Sequence, residues 1–180
     1  MAAICVFCAS ARTLDRRWLD LARDVGSALA ARGHSLVSGG GCVGMMGAVA
    51  GGARAAGGHT LGIIPQSLVD LEIADTEADE LVVTDGMAAR KIVMLERADA
   101  FLVLPGGLGT LDELFEVWTT ATLGLHAKPM VLLDADGFFD GLVAWLLGLA
   151  AQRFVRAEAL AMLRVVRTVD EALDAIDGFG

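Results

Sequence analysis

The chain has 180 residues, enough for one domain with a sizeable buried core. Hydrophobic residues make up 55% of it, too many for a disordered chain, and a formal net charge of −9 excludes long-range attraction to nucleic acid or anionic membranes. Cys5, Cys8 and Cys42 make an odd number of thiols, which argues against a secreted disulfide framework and for a cytoplasmic protein.

Met1–Ala11 carries no basic region, and the apolar run Gly141–Ala151 falls short of the roughly 20 residues of a membrane span, so neither a targeting segment nor a membrane anchor is expected. Short apolar runs alternate with stretches of helical period. That alternation predicts a single-domain α/β fold, a doubly wound parallel sheet with helices on both faces. The first strand is expected at Ile4–Cys8, where residues three apart point to opposite faces, so Cys5 and Cys8 do not form a redox or zinc pair. Leu14–Ala31 follows as a helix with Leu14, Trp18, Leu21, Val25 and Leu29 close to one stripe, stopped by Gly33. Next come a strand at Ser35–Val37, a small-residue helix at Gly44–Ala56 and a strand at Thr60–Ile64. The acidic stretch Asp70–Glu80 is the one candidate for a mobile segment. Beyond it lie a strand at Leu81–Val83, a helix at Met87–Arg97, a strand at Ala100–Leu104, a helix at Leu111–Leu123 and a strand at Met130–Leu133. A helix at Phe138–Ala151, a short strand at Leu163–Arg167 and a helix after Thr168 complete the order. Trp18 and Trp145 are expected to pack helices onto the sheet, and Met45, Met46 and Met94 to fill the core. His34, His59 and His126 lack ligand spacing, so no metal is expected.

Two glycine loops stand between a strand and a helix, where free helix N–H groups and a partial positive charge favour anions. Ser38–Gly47 contains Gly39, Gly41 and Gly44 in a G-x-G-x-x-G pattern, but after the second strand and without the acidic residue of a dinucleotide site. A nicotinamide-dependent reductase is therefore disfavoured, and no Gly-Lys-Ser/Thr follows to make a Walker loop. The second loop, Pro105-Gly106-Gly107-Leu108-Gly109-Thr110, lets backbone wrap a phosphate closely. Glu113 beyond it has two readings from spacing alone: the far end of a Thr110-x-x-Glu113 capping box, or a catalytic carboxylate. Arg90 and Lys91, on the helix leading into the preceding strand, would supply charge for a dianion, with Arg97 two turns on.

Five segments together resemble the LONELY GUY family: Ser38–Gly47, Met87–Lys91, Pro105–Glu113, Leu123–Pro129 and Asp136–Asp140, which lie in family order along nearly the whole chain. The resemblance implies a Rossmann-like homodimer that hydrolyses the N-glycosidic bond of cytokinin riboside 5′-monophosphates, and commonly AMP, to free base and ribose 5-phosphate, with no cofactor. It implies Arg90 and Glu113 as the catalytic pair. Met87, Lys91, Gly39, Gly40, Gly41, Gly106, Gly107, Gly109, Thr110 and Asp112 would bind substrate, with Glu72 at a nucleotide-contacting position and Thr119 near another. Cleaving this bond builds positive charge on the ribose, so a carboxylate beside the sugar stabilises the oxocarbenium-like state and orients water. Arg90 would anchor the phosphate or help the base leave. The chain departs from the family at Ala88 and Ala89, where His and Glu are usual, at Thr119–Thr122 in place of Thr-Trp-Ala-Gln, and at Ser38 in place of an aromatic residue. A non-catalytic nucleotide or cofactor carrier of the same superfamily is the alternative, separated by incubation with AMP and a search for free base.

Overall fold

A computed structural model describes residues 1–71 and 73–179, and Glu72 lies outside the described residues. Among the described residues, seven strands form one parallel sheet: β1 (Ala3–Phe7), β2 (Ser35–Ser38), β3 (Thr60–Pro65), β4 (Glu80–Thr84), β5 (Ala100–Val103), β6 (Met130–Leu133) and β7 (Leu163–Val166). Their spatial order is β4-β3-β2-β1-β5-β6-β7. The chain winds outward from β1 to β4, crosses back to pair β5 with the free side of β1 through Ile4↔Ala100 to Phe7↔Val103, and winds outward again. A crevice therefore opens where the winding reverses, beyond the carboxyl ends of β1 and β5.

Period-two alternation along the strands builds two cores. Ile4, Val6, Leu36, Leu102 and Val131 face α1 (Arg16–Ala31), α2 (Gly44–Ala55) and α8 (Val169–Asp177). Cys5, Phe7, Val37, Ile63, Phe101 and Leu132 face α4 (Met87–Arg97), α5 (Leu108–Thr122) and α6 (Asp140–Ala151). Cys5 lies in the second core and Cys8 in the first, as the strand period requires, and both are free buried thiols. The first helix buries Ala22, Val25, Gly26 and Leu29 along one stripe, and Asp15 caps its start by accepting from the Arg17 N–H at 3.0 Å.

The expected elements are present within a few residues, and the differences have physical causes. The one-turn helices α3 (Gln66–Val69) and α7 (Ala157–Ala161) are too short to show a period in the sequence. Residues 73–79, expected to be mobile, are instead tied to the body: Ala74 bridges Gly41 in antiparallel fashion, the buried Asp75 meets Arg54, and Asp79 accepts from the Thr60 N–H and hydroxyl. Local acidity signals solvation only where no cation is buried opposite it. Trp145 does not pack onto the sheet; it is 58% exposed, whereas Trp18 lies against the first core and meets Phe138 edge-on at 5.5 Å. Met45 and Met94 are buried as expected, whereas Met46 is only partly buried, at the edge of the first core.

The first two helices approach so closely that a Cβ on Gly26 would lie 2.0 Å from the Val49 carbonyl oxygen and 2.8 Å from the Ala53 nitrogen. Both obstacles are backbone and cannot rotate away. Gly26→Ala should therefore destabilise the fold by about 2 kcal/mol through overpacking, seen as a lower urea midpoint at unchanged m-value.

Candidate active site

At the crevice, three loops converge. Ala9–Ala11 follow β1, Gly39–Val43 follow β2, and Leu104–Gly107 follow β5. The Ala9 N–H donates to the Pro105 carbonyl at 3.2 Å and the Met45 N–H to the Ala9 carbonyl at 2.9 Å, so the loops brace one another. They enclose a cavity of about 310 Å³ lined by Cys8, Ser10, Met46, Leu68, Met87, Arg90, Gly107, Gly109, Thr110, Asp112 and Glu113, among others.

The fifth helix starts at Leu108, three residues earlier than its sequence pattern suggests, with Gly107 as N-cap and no side-chain cap. Thr110 is thus inside the first turn and cannot cap, which rules out the capping-box reading of Glu113. Uncapped, the first N–H groups of this helix lie open at the cavity wall and favour an anion there. Glu113 instead turns inward, 8% exposed, and its Oε1 accepts from Arg90 Nη1 at 2.8 Å. Arg90 Nε donates to the Ile63 carbonyl at 3.0 Å, so the guanidinium is held from two sides. Its third edge runs along the first glycine loop: a Cβ on Gly39 would sit 1.9 Å from Nη2. The next residue, Gly40, has φ +70° and presses on Ile63 and Ile64, so the loop is seated on the strand whose carbonyl holds Arg90.

Burial pushes the Glu113 carboxyl above its ordinary value of 4.5, while the Arg90 guanidinium pulls it back down. The Cys5 and Cys8 thiols rise strongly, first through burial and then through the nearby Glu113 charge, so neither is a thiolate nucleophile.

The cavity gathers Met87, Arg90, Gly107, Gly109, Thr110, Asp112 and Glu113 from the sequence expectations. Gly39–Gly41 lie against Arg90 and Met46, and Gly106 forms the turn beneath Thr110. Lys91 is outside the cavity lining; its ammonium pairs with Asp112 at 3.1 Å and with Glu116, fastening the fourth helix to the fifth. Arg97 pairs with Glu80 at 2.7 Å, away from the loops. Thr119 lines a separate groove with Phe115, Trp118 and Phe154, and Glu72 lies outside the described residues. Sequence reasoning missed Ser10 and Leu68. The position of Ser10, one loop past the first strand at the reversal of winding, was the available signal; Leu68 had none.

A family model described as "Possible lysine decarboxylase" matches residues 46–176. A cytokinin riboside 5′-monophosphate phosphoribohydrolase of Mycobacterium tuberculosis is 54% identical over 172 residues, covering 96% of this chain and 91% of the relative. The rice enzyme of that name, LOG, is 40% identical, covering 93% of this chain and 69% of its own length. Among solved structures, the molybdenum cofactor carrier protein of Chlamydomonas reinhardtii superposes with a TM-score of 0.75 at 24% identity, over 98% of this chain and 96% of the carrier, a likeness of fold.

Arg90→Met removes the partner that lowers the Glu113 pKa, so that value should rise further. A raised folded-state pKa gives stability that is present below the unfolded value and lost as pH climbs through the folded one. The loss in Arg90→Met should accordingly be about 3 kcal/mol at about pH 8 and smaller near the ordinary carboxylate range, measured by urea unfolding at both pH values.

Proposed function

The chain belongs to the LONELY GUY family of cytokinin riboside 5′-monophosphate phosphoribohydrolases, and from that premise we propose how its residues divide the work of hydrolysing the N-glycosidic bond of an adenosine 5′-monophosphate, N6-modified or plain. The 5′-phosphate sits on the open N–H groups at the start of the fifth helix, with the Thr110 hydroxyl and Ser10 beside it. Glu113 stands five residues further along that helix, an axial rise of about 7.5 Å, comparable with the reach from a 5′-phosphate to C1′. As the C1′–N9 bond breaks, the electron pair leaves with the base and positive charge develops on the ribose ring. The Glu113 carboxylate stabilises that charge and orients the water whose oxygen bonds to C1′, and the proton this water gives up ends on the departing base, leaving neutral base and ribose 5-phosphate.

The observation that carries this reading is the fixed Arg90–Glu113 pair facing the cavity. With Nε on the Ile63 carbonyl and Nη1 on Glu113, Arg90 keeps the carboxylate ionised and aimed, which favours that role over gripping the phosphate. Lys91 acts at one remove, by orienting Asp112 toward the ribose hydroxyls. Met46, Leu68 and Met87 supply the apolar end of the cavity for the base.

We further propose a homodimer in the cytoplasm with no nucleic-acid partner, in keeping with the acidic surface. The groove of about 260 Å³ bounded by Phe115, Trp118, Leu146, Phe154 and Val155, with Phe154 largely exposed, suits a second copy. Phe154→Glu should shift the light-scattering mass from dimer to monomer; a wild-type monomer at micromolar concentration would refute the dimer.

Glu113→Gln should abolish release of free base from AMP while leaving nucleotide affinity within about threefold, since the amide keeps shape and loses charge. Wild-type protein that binds AMP without releasing base would favour the carrier reading. Because Glu113 must be ionised and its pKa is raised, kcat/KM should fall as pH drops through an acid limb above the ordinary 4.5.

A further inference from the structure

The glycine loop that walls in Arg90 is itself held from behind. The Asp75 N–H donates to the Gly40 carbonyl at 2.8 Å and the Cys42 N–H donates to the Ile73 carbonyl at 2.8 Å, on either side of the Gly41↔Ala74 bridge. Residues 73–75 thus form a short rung along Gly40–Cys42. Gly40 is clamped between this rung and Ile63–Ile64, and Gly39, its neighbour, lies against the Arg90 guanidinium.

One ion pair fixes the rung. Asp75 is 4% exposed, and its Oδ2 accepts from Arg54 Nη1 at 2.7 Å. The other guanidinium arm, Nη2, reaches Glu77 at 3.2 Å, while Asp75 Oδ1 accepts from the Glu77 N–H at 3.3 Å. Arg54 projects from the last turn of the second helix, where a cation is favoured by the helix dipole. A carboxylate this buried needs its partner, so the rung stays seated only while Arg54 is there. The same crossover between β3 and β4 carries Leu68 over the cavity. Arg54 touches neither the cavity nor Arg90. It bears on the site through two links, Asp75 to Gly40 and the crossover to Leu68.

We propose that Arg54 and Asp75 are positioning residues for the hydrolysis: their ion pair sets the seat of the first glycine loop, and through it the alignment of Arg90 with Glu113. This rests on the reading of Arg90 and Glu113 given above. Loosening the loop widens the slot that confines the guanidinium and shifts Leu68 at the base end, so ground-state binding and the acid-base behaviour of Glu113 change together.

The test uses full-length Arg54→Ala, Asp75→Asn and Arg54→Lys. Arg54→Ala and Asp75→Asn should raise KM for AMP about tenfold with a smaller change in kcat. They should also move the acid limb of kcat/KM upward, because a weakened Arg90 contact leaves burial to dominate Glu113. The charged groups acting on Glu113 are Arg90 and Lys91 from the fourth helix and Asp112 from the fifth; the thiols it acts on in turn are Cys5 in the first strand and Cys8 just beyond it, and none of these is altered. Hydrogen exchange should quicken at the Cys42 and Asp75 amides while β5 amides stay protected. Arg54→Lys should recover part of the KM. Folded Arg54→Ala with wild-type KM and acid limb would overturn the proposal, as would activity lost in step with exchange across the whole sheet and not restored by lysine. If wild-type protein released no base, the hydrolytic reading would fall separately. AMP affinity and the two amides would then decide the latch, and unchanged values in Arg54→Ala would refute it.

Discussion

A carboxylate buried among apolar side chains is tolerated only with a cation held against it, and the site is organised around that requirement. Glu113 lies between the Phe7 side of the sheet and the fifth helix, where water cannot compensate its charge. Arg90 is the compensation. The guanidinium is desolvated as well, so it needs the Ile63 carbonyl and a neighbouring backbone free of side chains, which Gly39 provides. Each partner would be costly alone. Together they make a rigid charged pair whose position is set by a sheet, two helices and the glycine loop seated against them.

The strand order puts this pair where a ligand can reach it. With β1 and β5 adjacent and their following chains diverging to opposite faces, the crevice is left open by topology. The start of the fifth helix, uncapped by any side chain, supplies the anion end; Met46, Leu68 and Met87 supply an apolar end. The cavity is thus polarised, with an end that favours an anion, the Arg90–Glu113 pair in its wall and an apolar end.

Much of this was legible in the sequence because it is local or periodic. The strands announce themselves by apolar runs, the helices by stripes such as Val25 and Leu29, and the second glycine turn by Pro105–Thr110 before a helix. Spacing alone left Glu113 undecided between cap and catalyst, since the choice depends on whether the helix begins at Leu108 or at Leu111, a shift within the ordinary uncertainty of helix ends. What stayed hidden is non-local. Lys91 shows only its charge in the sequence; that Asp112 and Glu116 face it across the helix pair does not show there. Asp75 reads as one more solvated acid until Arg54 is seen beneath it. Pairings between distant charges leave no periodic trace.

The two helical layers are unequal partners. The one built from the first, second and eighth helices presses on the sheet through small residues and aliphatic stripes, and it lends the crevice little beyond Met46 and a few loop atoms. The opposite layer carries both Arg90 and Glu113. Genetic damage should sort itself accordingly. A fault in the small-residue seam of the first layer, as at Gly26, changes how many folded copies a cell keeps, because unfolded chains are cleared; a fault at Arg90 or Glu113 changes in addition what each surviving copy can do.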